Sequence, residues 1–174
     1  MKKTSVCIAV LGFIGLVISA SAVKAQSATK PAPGPEQVLQ RNWDGIGSKV
    51  IAMAEDWPED KYSYRPNDQV RTFGQILVHI AASNYFAINP ATGKSTKGLQ
   101  DDPKGYNTKE QIVAFVKKSF ADGDAALKAG GNSGAIKNLG NWVGIIEHCG
   151  EHFGNLVTYY RNNGVVPPES RPKK

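Results

Sequence analysis

The sequence predicts an all-α protein, a four-helix bundle preceded by an N-terminal signal peptide. Four segments after residue 34 repeat their apolar residues in steps of three and four, which is the spacing of one face of an α-helix. Two of these segments open with capping boxes, which mark helix starts. The connections between the segments are short, long and short in order, as in a bundle. No segment shows a convincing strand period.

The first 25 residues have the pattern of a secretory signal peptide. Lys2 and Lys3 precede an apolar run at residues 6–18, and small residues follow that run. The run is too short to span a bilayer comfortably, which argues against a retained membrane helix. We expect cleavage after Ala25, with Ala22 as the alternative, and a periplasmic or secreted product that is not attached to the membrane.

Much of the formal net charge of +6 belongs to this leader. Its removal takes away three lysines and leaves 18 basic and 15 acidic residues, a net charge of +3. No cluster of Lys and Arg interleaves with aromatic residues, so we expect no nucleic-acid partner. Cys7 leaves with the leader, and Cys149 alone cannot form an internal disulfide.

The mature chain is expected to contain one domain, at residues 35–168. A flexible, Pro-rich lead-in precedes it at residues 26–34, and a short tail follows at residues 169–174.

The first helix is predicted at about residues 35–56. Pro35 suits a first helical turn, and Pro58 ends the apolar pattern. Residues 59–71 are polar and contain Pro66, so they are interpreted as a loop. The apolar stripe consists of Leu39, Trp43, Ile46, Val50, Met53 and Trp57.

The second helix is predicted from Thr72 to about Ile88. Thr72 and Gln75 form a capping box, and the helix is expected to stop at Asn89 and Pro90. His79 is placed on its inward face. At 100° per residue, the positions on the same side as His79 are Thr72, Ile76, Ser83 and Phe86.

A long irregular stretch follows at residues 89–107, of the kind that forms lids or binding loops. The third helix opens with a second capping box, at Thr108 and Gln111, and is expected to end before Gly130. Residues 132–137 are interpreted as a turn.

The fourth helix, at about residues 138–163, has the clearest pattern. Its apolar residues alternate in steps of three and four, which is the seam of a helix packed lengthwise on its neighbours. Gly164 and the two prolines at 167–168 end it. The seam consists of Leu139, Trp142, Ile146, Cys149, Phe153, Leu156 and Tyr160.

The three histidines of the chain all lie in predicted helices. His148 and His152 are one turn apart on one helix face, a spacing that lets two imidazoles bind one ion. His79, on another inward face, could complete a site with an open fourth position, which is typical of catalytic zinc sites. Nickel, iron(II) and cobalt also suit three imidazoles. The alternative is that the histidines are ordinary hydrogen-bonded core residues.

Polar residues beside the histidines are candidates for orienting the metal ligands or a substrate. On the helical wheel, Asn141, Asn155 and Tyr159 lie on the same side as His148 and His152, at the edge of the apolar seam. Ser83 is added because it shares the inward face of the second helix. Tyr159 is the nearest inward ionisable side chain and is therefore also a candidate for catalysis.

Glu151 completes an H-x-x-E-H pattern with the two neighbouring histidines, which is a zinc-peptidase signature. We reject the peptidase interpretation because Glu151 points away from both histidines and too little chain follows to supply the further carboxylate ligand. Glu151 is kept only as a candidate catalytic group, with a solvated surface carboxylate as the alternative.

Three segments carry a resemblance to a known family. They are residues 57–66 after the first helix, residues 71–80 around the first histidine, and residues 147–168, which contain the other two. These segments resemble the DinB-like (damage-inducible, YfiT-related) superfamily of metalloenzymes. The resemblance implies a four-helix bundle with a divalent ion on the three histidines.

Relatives of this kind include thiol-dependent S-transferases and isomerases that use bacillithiol, mycothiol or glutathione. The resemblance therefore implies a small-molecule substrate and metal-dependent chemistry, either thiol transfer or hydrolysis. Low-molecular-weight thiols are mainly cytosolic, so an exported member departs from the thiol-transfer pattern. A non-catalytic bundle that binds a metal or a small ligand is the alternative, and a homodimer is compatible with either function.

Overall fold

The structure is a computed structural model that describes residues 31–172; the predicted leader and most of the lead-in lie outside this range. The described chain is helical and contains no strand, which confirms the all-α class. No helix in residues 31–172 combines the length and apolar character needed to cross a membrane. The α-helices are α1 (Pro35–Asp56), α2 (Phe73–Ser83), α3 (Tyr85–Ala91), α4 (Lys109–Lys137) and α5 (Leu139–Asn162), with 3₁₀ turns at Glu59–Lys61 and Pro168–Ser170.

Four helical segments build the predicted bundle, because α2 and α3 act as one. Only Asn84 separates them, and its backbone keeps helical torsion angles (φ −53°, ψ −32°). α1 packs along α4, and α5 packs against α1 and α2. This arrangement places α2 and α5, the two helices that carry the histidines, side by side.

Both capping boxes form as predicted. The Thr72 hydroxyl accepts a hydrogen bond from the Gln75 amide at 3.2 Å, and the Thr72 amide donates to Gln75 Oε1 at 2.8 Å. Thr108 and Gln111 make the same reciprocal pair at the start of α4. Since these bonds satisfy free amides of the first turn, they fix where each helix begins. The register of α2, and so the position of His79, follows from the first of them.

Two aromatic clusters hold the bundle together. In the first, the Trp43 indole packs 4.9 Å from the Phe120 ring and 5.4 Å from Trp142, and its Nε1 donates to the Phe120 carbonyl at 2.9 Å. In the second, Trp57 stacks on Phe73 at the start of α2 and packs 4.5 Å from Tyr160 of α5. The second cluster therefore joins the ends of α1, α2 and α5.

Two helix boundaries differ from the prediction. α3 continues past Asn89 and Pro90 to Ala91. Proline removes only one backbone hydrogen bond, and the helix ends one residue after it. Residues 132–137, predicted as a turn, are helical. The expected break occurs at Gly131, whose φ of 54° lies in the left-handed region that favours glycine.

Two apolar residues predicted to face inward are exposed. Phe86 lies in α3, beyond the end of α2 at Ser83, and 41% of its surface is accessible. Leu139 starts α5, and 45% of it is accessible where it lines a surface groove with Val38 and Val143.

The C-terminal segment is tied to the bundle. The Arg171 guanidinium donates to both carboxylate oxygens of Asp56, at 2.7 and 2.6 Å. This contact holds the pKa of Asp56 below its ordinary value. Arg171, which lies in the segment predicted as a tail, therefore packs back onto the end of α1.

The α1–α4 crossing depends on the absence of a side chain at Gly123. A Cβ atom there would lie 2.2 Å from Cζ2 of Trp43, whereas one at Gly144 of α5 would meet nothing within 4 Å. We expect Gly123→Ala to lower the free energy of unfolding by about 1–3 kcal/mol, because the core must shift. Gly144→Ala should raise it by roughly 0.5–1 kcal/mol, because alanine favours the helix. Urea unfolding of both variants measures this, and changes of the same sign would contradict the crossing geometry.

Candidate metal centre

The three histidines converge between α2 and α5. His79 comes from α2, and His148 and His152 come from successive turns of α5. The ring centroids are 4.9 Å apart for His79 and His148, 4.8 Å for His79 and His152, and 4.5 Å for His148 and His152. Each ring offers a nitrogen within 4.8 Å of the other two. The three residues could therefore hold one metal ion.

The closest approach joins Nε2 of His79 to Nε2 of His148, at 3.0 Å. Two imidazole nitrogens that share a tetrahedral ion at about 2.0–2.1 Å each lie roughly 3.3–3.4 Å apart, so a shift of a few tenths of an ångström would let this pair share an ion. Without an ion, the same approach requires that one nitrogen donates its hydrogen to the other. The geometry and the all-imidazole donor set both suit a divalent transition ion.

The protonation of the two α5 histidines favours metal binding. Burial lowers the pKa of His148, and the nearby His79 adds to the effect. Burial also lowers the pKa of His152 to about 4, with further contributions from His148 and His79. Both rings are therefore neutral at pH 7, which leaves a lone pair available on each.

The Nδ1 atoms of the three rings have different surroundings. Nδ1 of His79 lies 3.0 Å from the backbone carbonyl oxygen of Asp101 and 3.5 Å from Oδ1 of Asp102. Nδ1 of His152 lies 3.2 Å from the side-chain amide of Asn155. Nδ1 of His148 is buried and has no hydrogen-bond partner among the described residues. His79 is thus the ring that the protein orients most firmly.

A groove of about 690 Å³ with mixed polar and apolar walls lies beside His152. Two predicted pocket residues, Asn155 and Tyr159, line it together with this histidine. Because five of its eight other lining residues are polar or charged, the groove offers hydrogen bonds to a small ligand next to the histidine cluster. The remaining lining residues are Pro66, Asp68, Gln69, Val70, Arg71, Gln75, Ile76 and Thr158.

The other predicted site residues lie elsewhere. Ser83 is buried one turn after His79, and Asn141 is exposed about two turns before His148; neither lines the groove. Glu151 is exposed on α5.

Tyr159 is the predicted catalytic candidate that reaches the groove, but its hydroxyl is already engaged. It donates to the backbone carbonyl of Arg71 at 2.7 Å, and burial raises the pKa of the phenol. Tyr159 is therefore a neutral hydrogen-bond donor that connects α5 to the segment preceding α2.

Three residues next to the cluster were missing from the sequence prediction. Arg71 donates from Nε and Nη2 to the two carboxylate oxygens of Asp102, at 3.0 and 2.7 Å, and Asp101 supplies the carbonyl beside His79. The one signal in the sequence was indirect. Arg71 directly precedes the capping residue of α2, and the two aspartates are adjacent in the long irregular stretch.

Comparison with protein-family models agrees with this fold and site. A model described as the DinB superfamily matches residues 43–156, which cover most of α1, all of α2 to α4 and most of α5. The match includes all three histidines and extends over more than half of the chain. The protein therefore belongs to the DinB superfamily.

Proposed function

We propose that this protein is an exported enzyme that uses one divalent metal ion, held by His79, His148 and His152, to act on a small molecule. The observation that supports it most is the convergence of three imidazoles, with Nε2 of His79 and His148 3.0 Å apart, beside a groove that offers hydrogen-bonding side chains. Three protein ligands leave a coordination position for a substrate or water, as in catalytic rather than structural sites.

The ion would supply a Lewis acid that activates water or a thiol at neutral pH. The surrounding residues have distinct tasks. Burial keeps His148 and His152 neutral, so that their lone pairs are available. Asn155, Gln75 and Thr158 line the groove and offer hydrogen bonds that orient a polar substrate.

Hydrolysis and thiol transfer both remain in the proposal. The predicted leader favours hydrolysis. Water is available to an exported protein, whereas low-molecular-weight thiols are mainly cytosolic. We propose zinc as the metal, since it combines high affinity for imidazole with an open fourth position; nickel, iron(II) or cobalt would occupy the same ligands.

One observation favours a second function, a bundle that binds a metal or small ligand without catalysis. Neither candidate for proton transfer is free at the groove. The Tyr159 hydroxyl donates to the Arg71 carbonyl, and Glu151 is exposed. Turnover across a panel of esters and a panel of thiol–electrophile pairs separates the two functions. Metal-dependent turnover in either panel supports the enzyme, and none in both supports the binding bundle.

The test of the site is the metal content of the purified protein. We expect the full chain, expressed with its own leader, to carry about one equivalent of a transition metal. The double variant His148→Ala, His152→Ala should lose it, whereas the matched double variant Glu147→Gln, Glu151→Gln on the same helix should keep it.

Two outcomes of this experiment would end the proposal. The first is wild-type protein that stays metal-free after incubation with zinc, nickel, iron(II) and cobalt. The second is a histidine variant that retains the metal. The N-terminal sequence of the same preparation checks export, and a start at Gln26 or Val23 is expected.

A further inference from the structure

We propose that Arg71 is a positioning residue for this metal centre: it holds the Asp101–Asp102 segment so that the Asp101 carbonyl fixes the proton of His79 on Nδ1. The inference rests on the proposed function only for its consequence, metal affinity. The contacts themselves do not depend on that function. They lead from Tyr159 of α5 to Arg71, from Arg71 to the Asp101–Asp102 segment, and from there to His79 of α2.

The first contact sets the state of the His79 ring. To bind an ion or to accept a hydrogen bond through Nε2, this ring must carry its proton on Nδ1. A carbonyl oxygen can only accept, so the Asp101 carbonyl, 3.0 Å away, selects the Nδ1–H form. The Asp102 carboxylate, with Oδ1 at 3.5 Å, favours the same form. Hydrogen-bond partners of this kind orient a ligand histidine and raise its basicity.

The second contact places that carbonyl. Asp101 belongs to the irregular segment between α3 and α4, and its own side chain is 60% exposed, so its backbone needs an external anchor. The anchor is the next residue. Asp102 receives two parallel hydrogen bonds from Arg71, a bidentate geometry that fixes direction as well as distance.

The third contact holds Arg71 itself. Its backbone carbonyl accepts the Tyr159 hydroxyl at 2.7 Å, and Tyr159 lies on α5, two turns after His152. Arg71 also directly precedes Thr72, the capping residue of α2. Arg71 is therefore fixed to both helices that carry the histidines. Its ion pair with Asp102 in turn fixes the Asp101–Asp102 segment relative to those helices.

Charge alone predicts the opposite effect on metal binding. The Arg71 guanidinium is a cation close enough to lower the pKa of His148 and His152. Removing it would therefore strengthen the binding of a divalent cation if electrostatics dominated. The positioning role predicts weaker binding. The sign of the change in affinity thus separates the two.

The experiment is a competition titration of zinc against a chromophoric chelator at pH 7.5, with the full chain and four variants. We expect Arg71→Ala and Asp102→Asn each to weaken zinc binding by about tenfold. Asp101→Asn removes a similar nearby charge but keeps the backbone carbonyl. Arg65→Ala removes a cation that pairs with Asp68 on the surface. Both controls should change affinity less than about threefold, because neither breaks the chain of contacts.

An Arg71→Ala variant that binds zinc as tightly as the wild type, or more tightly, would overturn the positioning role. So would an Asp101→Asn variant that loses as much affinity as Asp102→Asn, since the carboxylate and not the carbonyl would then matter. Circular dichroism melts of each variant establish that the bundle is intact.

A second measurement needs no metal. Long-range ¹H–¹⁵N spectra of the imidazole rings in the chelator-treated protein report which nitrogen carries the proton. The wild type should show His79 in the Nδ1–H form, and Arg71→Ala should show a mixture of tautomers. If the wild type binds none of the four metals, the proposed function fails, yet these spectra still decide whether Arg71 sets the tautomer. An unchanged His79 signal in Arg71→Ala rejects the inference in either case.

Discussion

Replacing His79 with alanine is expected to weaken zinc binding by more than the roughly 100-fold that loss of an outer hydrogen-bond partner can cause. The substitution removes the only proposed ligand from α2 and leaves two histidines one turn apart on α5. It also removes the ring that Asp101 orients, so the hydrogen bond to the Asp101 carbonyl is lost. Since the chain has three histidines, the two on α5 then have no third imidazole to complete the site.

Competition titration measures this loss, and thermal melts provide an independent reading. A bound ion stabilises the folded state by an amount that grows with the logarithm of the free ion concentration relative to its Kd. Excess zinc should therefore raise the melting temperature of the wild type and not of His79→Ala. Ser83→Ala is the matched control, because Ser83 is also buried and lies one turn further along α2. Equal zinc stabilisation in wild type and His79→Ala would show that His79 is not a ligand.

The largest effect on stability is expected for Trp43→Ala, a loss of about 3–5 kcal/mol in the free energy of unfolding. The indole is 1% exposed and packs against Phe120 and Trp142, which lie on α4 and α5. Its removal opens a cavity where three helices meet and deletes the hydrogen bond to the Phe120 carbonyl. Because small domains have only about 5–15 kcal/mol in total, this one change consumes a large part of it.

Urea unfolding followed by circular dichroism gives this value. Val143→Ala is the control, since half of the Val143 surface is already exposed on α5 and its truncation should cost under about 1 kcal/mol. A loss below about 1 kcal/mol for Trp43→Ala would mean that the α1–α4–α5 junction does not carry the core.

The features that the sequence predicted correctly are those set by neighbours along the chain. The capping box at Thr72 depends on a residue three positions later, and both of its hydrogen bonds are present. The pairing of His148 with His152 depends on one helical turn. The placement of His79 beside them needed one further assumption, that apolar faces meet in a bundle. The second aromatic cluster, which joins the ends of α1, α2 and α5, shows why it held.

The features that it missed depend on residues far apart in the sequence. Arg71 and Asp102 are 31 residues apart and join across an irregular segment whose path no periodicity describes. Asp101 acts through its backbone carbonyl, which every residue has, so its side chain gave no signal. Phe86 was misplaced because the helical wheel centred on His79 was extended past the end of α2 at Ser83 into the short helix α3.

The histidine cluster has a further consequence as a cross-link. His79 and His148 are 69 residues apart, and Cys149, the one cysteine of residues 31–172, is a buried free thiol, so no disulfide constrains this part of the chain. An ion bound to both helices would close that long loop, and closing a long loop restricts the unfolded chain strongly. Loss of the ion would release α2 from α5 and favour local opening between them. The concentration of free metal around the protein would then set how often α2 and α5 separate, and so how fast the chain is cleaved by proteases.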